Sequence, residues 1–458
     1  MSYTEGYMDK LVSNVDQASE TRSLESSRLI SFIFLVLGLT QLLPWYCFIN
    51  SYGYWMLKFT DNETAYEAQT QENPYPSTDY QNFWTSSLTV ASSSVLVIFM
   101  VVNLIITSKI SRDSRVYPSL AIMFLVFAFT TIMSVVDTSD WTSIFFVLAL
   151  LSAMICQMGG GIFQGATMGL AGNYPGNYFN WLLQGQIVAG VFSAVLALIP
   201  MFIFKKEVLN ADGDMVFIVD QYKTALMFFA VATVAIAVCI FLYWVLMKHW
   251  VTKEVLKNER KAKDLGLAEI FSNILRVGKS IGYQTATLTV NFWITIAFFP
   301  AVTQLVVSAC TPDSESSYCT IFGGEFFMPV FNFLFYNIIC WFGRWLAGKI
   351  KIIKKEQGLM LLVSAMLRIF IALLFLGTRR SNYDGWSFLG NDWAYILIMF
   401  AFGITDGYVP ALAFEYGPQL VEGAEVELAG SMMPIFMGMG LLLGSLTSFG
   451  TVSIMPVN

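Results

Sequence analysis

Long apolar segments alternate with short polar ones along almost the whole chain. Eleven segments of about 20 or more mainly apolar residues predict helices that cross a hydrocarbon core, because a helix satisfies every backbone polar group internally. Only two of the 26 Lys and Arg residues, Arg344 and Arg368, lie inside these segments. The predicted spans are 29–56, 83–107, 116–136, 143–171, 182–204, 224–247, 281–308, 326–348, 358–377, 392–416 and 428–452. The pattern predicts an all-α, multi-pass membrane protein.

The longest polar interval between spans, residues 248–280, divides them into six and five. We therefore predict a cytoplasmic N-terminal tail (1–28), a six-helix bundle (29–247), a cytoplasmic linker (248–280) and a five-helix bundle (281–458). With the N-terminus inside, eighteen of the Lys and Arg residues lie in inner segments and six in outer ones. Because Lys and Arg are enriched in cytoplasmic loops, this predicts a cytoplasmic N-terminus and an extracellular C-terminus.

Composition agrees with this class and narrows the function. The chain is 56% hydrophobic and 13% charged, against roughly 25% charged residues in an ordinary soluble domain. The absence of a Gly-rich phosphate-binding loop from the sequence disfavours an ATP-driven pump. The single histidine, His249, lies at a predicted helix end, so neither a metal site nor a catalytic cluster is indicated. We expect a non-enzymatic protein of the lipid bilayer, with no cofactor, no nucleic-acid partner and no evident obligate protein partner.

Two features fall in predicted outer loops. Asn62 begins an N-glycosylation tripeptide, which the predicted topology places outside the cell. Cys310 and Cys319 are separated by eight residues in another outer loop, where a disulfide persists. The alternative for this pair is two free thiols.

Residues of the eighth span share one helical face. Phe333, Asn337, Cys340 and Arg344 are spaced by four, three and four residues, which places them on the same side of a helix. Polar and ionisable side chains within a membrane usually face a cavity. The Arg344 guanidinium would then contact water, an acid or a ligand. The alternative is that it extends to the cytoplasmic surface about one turn away.

The fourth span combines small residues with one amide side chain. Gly161, Gly165 and Gly169 form consecutive small-xxx-small steps that allow another helix to approach closely. Gln164 lies among them and needs hydrogen-bond partners, which a nucleobase edge or a sugar hydroxyl is able to supply.

In the first span, Trp45 and Ile49 follow Gln41 at four-residue spacing, and Pro44 predicts a kink. The Trp45 ring is suited to stacking on a planar ligand. Packing in the protein core is the equal alternative for this side chain.

Short motifs in many of the spans resemble those of the equilibrative nucleoside transporters. Their common order along the chain, with a large loop after the sixth span, makes the resemblance specific. The matching segments are Leu42-Leu43-Pro44-Trp45, Gln164-Gly165 with Gly169-Leu170-Ala171-Gly172, Gly185-Gln186 with Ala189-Gly190, Phe299-Pro300-Ala301-Val302-Thr303, Asn337 with Gly343-Arg344, Arg368, Gly407-Tyr408, Gly417-Pro418, and Ala424-Glu425 with Glu427 and Ala429-Gly430.

The resemblance implies a six-plus-five bundle related to the major facilitator fold, with a central site between two halves that rock against each other. It implies that Gln164 contacts the base edge, that Arg344 contacts ribose hydroxyls and that Gly160 leaves room for the ligand. The substrate-binding residues implied for this chain are Trp45, Ile49, Gly160, Gln164, Phe299, Phe333, Asn337, Cys340, Arg344 and Leu441.

Three positions depart from the family's usual residues. Tyr46 and Asp406 each stand where the family usually has Asn, and Cys340 stands where the eighth span usually carries Asp. Because an unpaired arginine is costly in a low-dielectric site, we hypothesise that Asp406 replaces the missing carboxylate as the counter-charge to Arg344. The alternative is a solvated Asp406.

A second acid, Glu415, lies near the predicted cytoplasmic end of the tenth span. A partly desolvated carboxylate there would titrate near neutral pH and permit proton coupling. The alternative is an acid just beyond the hydrocarbon.

These observations predict a facilitative carrier of nucleosides, with nucleobases as a further class, in the plasma membrane. The alternatives are a proton-coupled nucleoside carrier and an organic-cation or monoamine carrier of the same fold, both favoured by Asp406 and Glu415. A channel or receptor is disfavoured because a six-plus-five arrangement suits a rocking carrier.

Overall fold

Helices make up most of the part of the chain that the structure describes. The computed structural model describes residues 28–60, 78–107, 109–174, 178–209, 215–257, 267–310, 327–379, 385–386, 388–423 and 425–453. The helices are α1 Arg28–Asn50, α2 Tyr52–Lys58, α3 Asp79–Ile106, α4 Arg112–Met133, α5 Thr142–Asn173, α6 Tyr178–Ile203, α7 Gln221–Lys248, α8 Trp250–Lys257, α9 Leu267–Ser280, α10 Gly282–Phe298, α11 Phe335–Lys349, α12 Gly358–Leu374, α13 Asp392–Gln419 and α14 Glu425–Ser453. A short antiparallel hairpin of β1 Lys205–Leu209 and β2 Met215–Val219 joins α6 to α7.

Nine helices in the described residues are long and apolar enough to cross a membrane, which confirms the multi-pass helical class. The remaining two predicted spans correspond to shorter helices. One is α10, with 17 residues. The other is α11, with 15 residues, preceded by a π-helical segment at Met328–Leu334.

The seventh predicted span, 281–308, is longer than the helix that it contains. Helix α10 ends at Phe298, and Phe299 has an extended backbone with φ −107° and ψ 130°. A residue that precedes proline is disfavoured in the helical region, so Pro300 accounts for the end of the helix. Hydropathy continues beyond this point, and it therefore overestimates the span.

Polar side chains define the starts of several long helices. The Thr78 hydroxyl accepts a hydrogen bond from the backbone N–H of Gln81, and the Gln81 side chain accepts one from the N–H of Thr78. This reciprocal capping box satisfies two backbone donors that the helix leaves free. Ser111, Asp220 and Asn391 likewise accept from backbone N–H groups at the starts of α4, α7 and α13.

The glycine face predicted for the fourth span is confirmed, and it contacts two helices. A Cβ on Gly161 would lie 2.7 Å from the Leu96 carbonyl oxygen of α3. A Cβ on Gly169 would lie 2.5 Å from Ser431 Oγ of α14. Helix α5 therefore packs closely against α3 and also against the last helix of the chain.

We call α1–α7 the first half and α10–α14 the second half. Contacts between the halves are made mainly by α14 with α3 and α5, and by α6 with α11. Within the second half, α10 packs against α12, α13 and α14, and α11 packs against α13. The predicted candidate residues of α11 consequently lie where the second half contacts α6 of the first.

Candidate functional site

The predicted face of the eighth span is buried inside the protein. Asn337, Cys340 and Arg344 all have buried side chains on α11, and Phe333 precedes them in the π-helical segment. The Asn337 side chain donates from Nδ2 to the Phe333 carbonyl oxygen at 2.8 Å, which leaves its Oδ1 available as an acceptor. The expectation that Arg344 faces the interior, and does not extend to the surface, is confirmed.

Arg344 reaches across the boundary between the halves. Its Nη1 donates to the Leu183 carbonyl oxygen at 2.7 Å and to Gln186 Oε1 at 3.2 Å, both on α6. Gln186 Nε2 then donates to Gln41 Oε1 at 2.6 Å, and Gln41 Nε2 donates to Thr167 Oγ1 at 2.7 Å. A continuous polar chain thus joins α11 of the second half to α6, α1 and α5 of the first.

The hypothesis that Asp406 forms the ion pair of Arg344 is wrong. Asp406 Oδ1 lies 2.9 Å from Arg368 Nη2, and both side chains are almost fully buried. The side chains that donate to the Asp406 carboxylate besides Arg368 are Asn291 (2.8 Å), Thr295 (2.5 Å), Tyr336 (2.8 Å) and Cys340 (3.2 Å). Five donors therefore surround this one carboxylate.

Arg368 is also held by several groups besides Asp406. Its Nη1 donates to Asn291 Oδ1 at 2.7 Å and to the Asn291 carbonyl oxygen at 3.0 Å. Its guanidinium carbon lies 4.7 Å from the centre of the Phe402 ring. Because both charges are paired and hydrogen-bonded, the pair meets the conditions under which buried ions are tolerated.

An aromatic cluster borders the face of α11 that carries Asn337, Cys340 and Arg344. The Phe299 ring stacks on Tyr336, with centroids 4.0 Å apart and planes at 26°. It also meets the Phe333 ring edge-on at 6.0 Å and 67°. Phe299 reaches this position because α10 ends immediately before it. Two predicted binding residues, Phe299 and Phe333, therefore lie in contact, and their contact with a substrate stays a prediction.

Several buried donors have no partner among the described residues, and Gln164 Nε2 and Arg344 Nε are two of them. Gln164 is only 1% exposed, so bulk solvent does not reach its side chain. A buried donor without a partner costs roughly 1–3 kcal/mol. A ligand that supplies acceptors, such as a carbonyl oxygen, a ring nitrogen or a hydroxyl, would remove this penalty.

The remaining predicted binding residues line the first half and α14. Trp45 and Leu441 are partly buried against the main core, and Ile49 is also partly buried. A Cβ on Gly160 would lie 3.1 Å from Gln157 Oε1 and 4.0 Å from Leu96 Cδ1, so this buried glycine is less tightly packed than Gly161. Their contact with a substrate stays a prediction.

Of the other predicted positions, Glu415 and Cys310 lie in the described part of the chain. Glu415 forms an ion pair with Lys351 near the end of α13, so it is held by a lysine. Cys310 is disulfide-bonded, whereas its predicted partner Cys319 lies outside the described residues. Asn62, the predicted glycosylation position, also lies outside them.

Sequence reasoning missed the positions that complete these networks. Gln186 enters the sequence-based predictions only as part of a motif, and no role is predicted there for Asn291 or Thr295. The available signal was polarity within otherwise apolar spans: Asn291 and Thr295 are four residues apart and so share a face of α10. Such a pair indicates a polar contact inside the bundle, and here both side chains donate to Asp406.

The sequence profile of the nucleoside transporter family matches residues 150–265 and 252–453. Equilibrative nucleoside transporter 1 of Rattus norvegicus is 27% identical to the chain over 453 residues, covering 91% of this chain and 95% of that protein. Equilibrative nucleoside transporter 1 of Homo sapiens is 28% identical, with coverages of 91% and 95%.

Solved structures show the same kind of fold. The nucleoside transporter NupG aligns with a TM-score of 0.52 and 14% identity, covering 91% of this chain and 90% of that chain. The proton:xylose symporter XylE of the major facilitator superfamily aligns with a TM-score of 0.53 and 12% identity, covering 94% and 88%. These alignments identify a major facilitator-like fold.

Proposed function

Because the chain belongs to the nucleoside transporter family, we propose that it carries nucleosides, and with them nucleobases, across a membrane by facilitated diffusion. The observation that carries this proposal is the polar boundary between the halves. It offers unpartnered donors on Gln164 and Arg344, and the segment that leads into α11 adds the aromatic pair of Phe299 and Phe333. Such a site suits a planar, uncharged ligand that is rich in acceptors.

The ion pairs of Asp406 and Glu415 support a carrier of neutral molecules that is not coupled to protons. Asp406 accepts from five side chains, and one of these is the cation Arg368. Glu415 pairs with Lys351. A carboxylate that is already neutralised is a poor partner for a cationic substrate, which weakens the organic-cation alternative and the proton-coupled one.

The proposed architecture has eleven spans, with α10 and the combined π-helical segment and α11 as the seventh and eighth. We propose a six-helix bundle at 29–247 and a five-helix bundle at 281–458, joined by a cytoplasmic linker at 248–280. The Lys and Arg distribution supports a cytoplasmic N-terminus and an extracellular C-terminus. We propose the plasma membrane as the location.

Alternating access requires contacts between the halves that close one side and break when that side opens. Two groups of contacts have this character. Arg344, Gln186, Gln41 and Thr167 form the polar chain described above. Glu427 of α14 lies 2.7 Å from Arg112 and 3.6 Å from Arg115 of α4. The proposed orientation places these ion pairs on the cytoplasmic side, so that side is closed here.

Uptake of radiolabelled adenosine and uridine into liposomes that contain the purified protein tests the proposed function. We expect saturable uptake that stops at equal concentrations on both sides and is unchanged by an inward proton gradient. Gln164→Leu should reduce uptake, because the substrate then loses one hydrogen bond. Gln419→Leu makes the same chemical change on an exposed residue of α13 and should leave uptake unchanged.

Accumulation above equilibrium only in the presence of the gradient would replace facilitated diffusion with proton coupling. Absence of uptake of both nucleosides by the wild-type protein would overturn the nucleoside assignment.

A further inference from the structure

Tyr46 of α1 occupies the boundary between the halves, directly opposite the polar face of α11. A Cβ placed on Gly190 of α6 would overlap Asn337 Oδ1 and would lie 3.1 Å from the Tyr46 hydroxyl oxygen. The hydroxyl and the amide oxygen therefore lie around the same point beside α6. Tyr46 also lies within electrostatic range of Cys340 and Arg344.

The Tyr46 hydroxyl is available to a ligand. Its side chain is partly buried, and no residue in the described part of the chain hydrogen-bonds its hydroxyl. By contrast, the Tyr336 hydroxyl of α11 donates to Asp406. A polar group between two halves of a membrane protein, with no protein partner, gains most from a substrate that is able to pair with it.

The acceptors that remain on this face belong to neutral groups. Asp406 is surrounded by five donors, and the Cys340 thiol is directed at that carboxylate at 3.2 Å. The Asn337 amide donates from its nitrogen to the Phe333 carbonyl, and no side chain in the described ranges donates to its oxygen. Tyr46 Oη and Asn337 Oδ1 are therefore neutral acceptors beside Gly190, and Arg344 Nε is a buried donor without a partner among the described residues.

A hydroxyl both donates and accepts hydrogen bonds, and so does each sugar hydroxyl of a nucleoside. Tyr46, Asn337 and Arg344 together offer acceptors and a donor for such groups, whereas Gln164 offers an amide suited to a base edge. We propose that Tyr46 is a specificity-determining residue of the transport site, and that its hydroxyl pairs with a sugar hydroxyl of the substrate. This inference rests on the proposed nucleoside function.

The position of Tyr46 adds a consequence for specificity. Tyr46 belongs to the first half, and Asn337 and Arg344 belong to the second. A sugar hydroxyl between them contacts both halves, so it helps to hold them together around the substrate. A nucleobase lacks the sugar and does not make this contact, so it should be insensitive to the Tyr46 hydroxyl.

The test measures KM and maximal rate for uridine, 2′-deoxyuridine, 3′-deoxyuridine and uracil in proteoliposomes. Tyr46→Phe removes one oxygen and keeps the ring, so the volume of the side chain is almost unchanged. It should raise the KM for uridine about threefold to tenfold, the loss expected for one neutral hydrogen bond. The maximal rate and the KM for uracil should remain within twofold of the wild type.

The deoxynucleosides give a thermodynamic cycle. One of the two deoxynucleosides should have a higher KM than uridine with the wild-type protein. For that analogue, Tyr46→Phe should not raise the KM further, because the analogue already lacks the hydroxyl that pairs with Tyr46. Tyr52→Phe makes the same change on an exposed tyrosine of α2 and should alter none of these values. Equilibrium binding of labelled uridine to purified Tyr46→Phe separates a loss of affinity from misfolding.

An unchanged KM for uridine in Tyr46→Phe would overturn the inference. An equal rise in KM for uridine and uracil would also overturn it. So would a rise in KM on Tyr46→Phe that is as large for both deoxynucleosides as for uridine. The proposed function is judged separately by the wild type: if that protein takes up no nucleoside, the function fails and this inference falls with it.

Discussion

At the residue scale, the sequence identifies the polar face of α11 but not its partners. The spacing of Asn337, Cys340 and Arg344 follows directly from helix periodicity. Which cation pairs with Asp406 depends on which helix packs against α13 and on how the two helices are aligned along their axes. Helix periodicity contains no information on either. Arg368 lies on α12, and only the packed structure places its guanidinium 2.9 Å from the carboxylate. The pairing with Arg344 was therefore predicted wrongly.

The buried pair yields a stability prediction. Arg368→Met leaves the Asp406 carboxylate buried without its cation, so it should lower the free energy of unfolding by about 3–5 kcal/mol. The double variant Arg368→Met with Asp406→Asn should recover part of that loss, because no uncompensated charge remains. Lys351→Met is the control: it breaks a partly exposed pair with Glu415, which is worth at most about 1 kcal/mol.

Thermal unfolding in detergent, monitored by intrinsic fluorescence, measures these differences. Equal losses from Arg368→Met and Lys351→Met would show that burial of the Asp406 pair has no special energetic weight.

At the element scale, hydropathy locates the helices and small-residue spacing locates close contacts. Helices α5 and α13 end within a few residues of the predicted limits. The errors occur where a local break is apolar, as at Phe299, where proline ends α10 without any change in hydropathy. The π-helical segment before α11 was also missed, because hydrophobic periodicity over seven residues does not separate π-helix from α-helix.

The contact between α5 and α3 gives a second prediction. A Cβ on Gly161 would meet the Leu96 carbonyl oxygen at 2.7 Å and the Met100 nitrogen at 3.1 Å, and both are backbone atoms that move only with the helix. Gly161→Ala should therefore destabilise the protein by about 1–3 kcal/mol through overpacking. Gly282→Ala is the matched control, because a Cβ there meets nothing within 4 Å.

The same unfolding measurement compares the two alanine variants. A Gly161→Ala protein that is as stable as Gly282→Ala would mean that α3 and α5 adjust at no cost.

At the scale of the whole molecule, the sequence resemblance predicts two halves and a central site, and the structure adds the contacts that join them. The Arg344 chain crosses from α11 to α6, α1 and α5. The ion pairs of Glu427 connect α14 to α4. Such contacts depend on the conformational state, which a single sequence does not encode as a pattern. They nevertheless determine how readily one side opens.

Glu427→Gln should therefore shift the equilibrium from the state that is closed on the proposed cytoplasmic side toward the state that is open there. The change removes the charge that faces Arg112 and Arg115, while the side chain keeps its shape. Both arginines are buried and Glu427 is 19% exposed. Losing this pair should cost at least as much as losing an exposed pair, about 0.5–1 kcal/mol, so the population open on the proposed cytoplasmic side should grow at least about twofold to fivefold. The control is Glu425→Gln, because Glu425 pairs with Arg276 of α9, so its loss removes no ion pair between the halves.

Spin labels at Lys109 and Lys355, one in each half, report this opening as a longer distance in double electron–electron resonance. If the distance distribution of Glu427→Gln matches that of Glu425→Gln, the ion pairs of α14 and α4 do not hold this side closed. The polar chain through Arg344 would then be the contact that sets the barrier, and Gln186→Leu would be the variant that opens it.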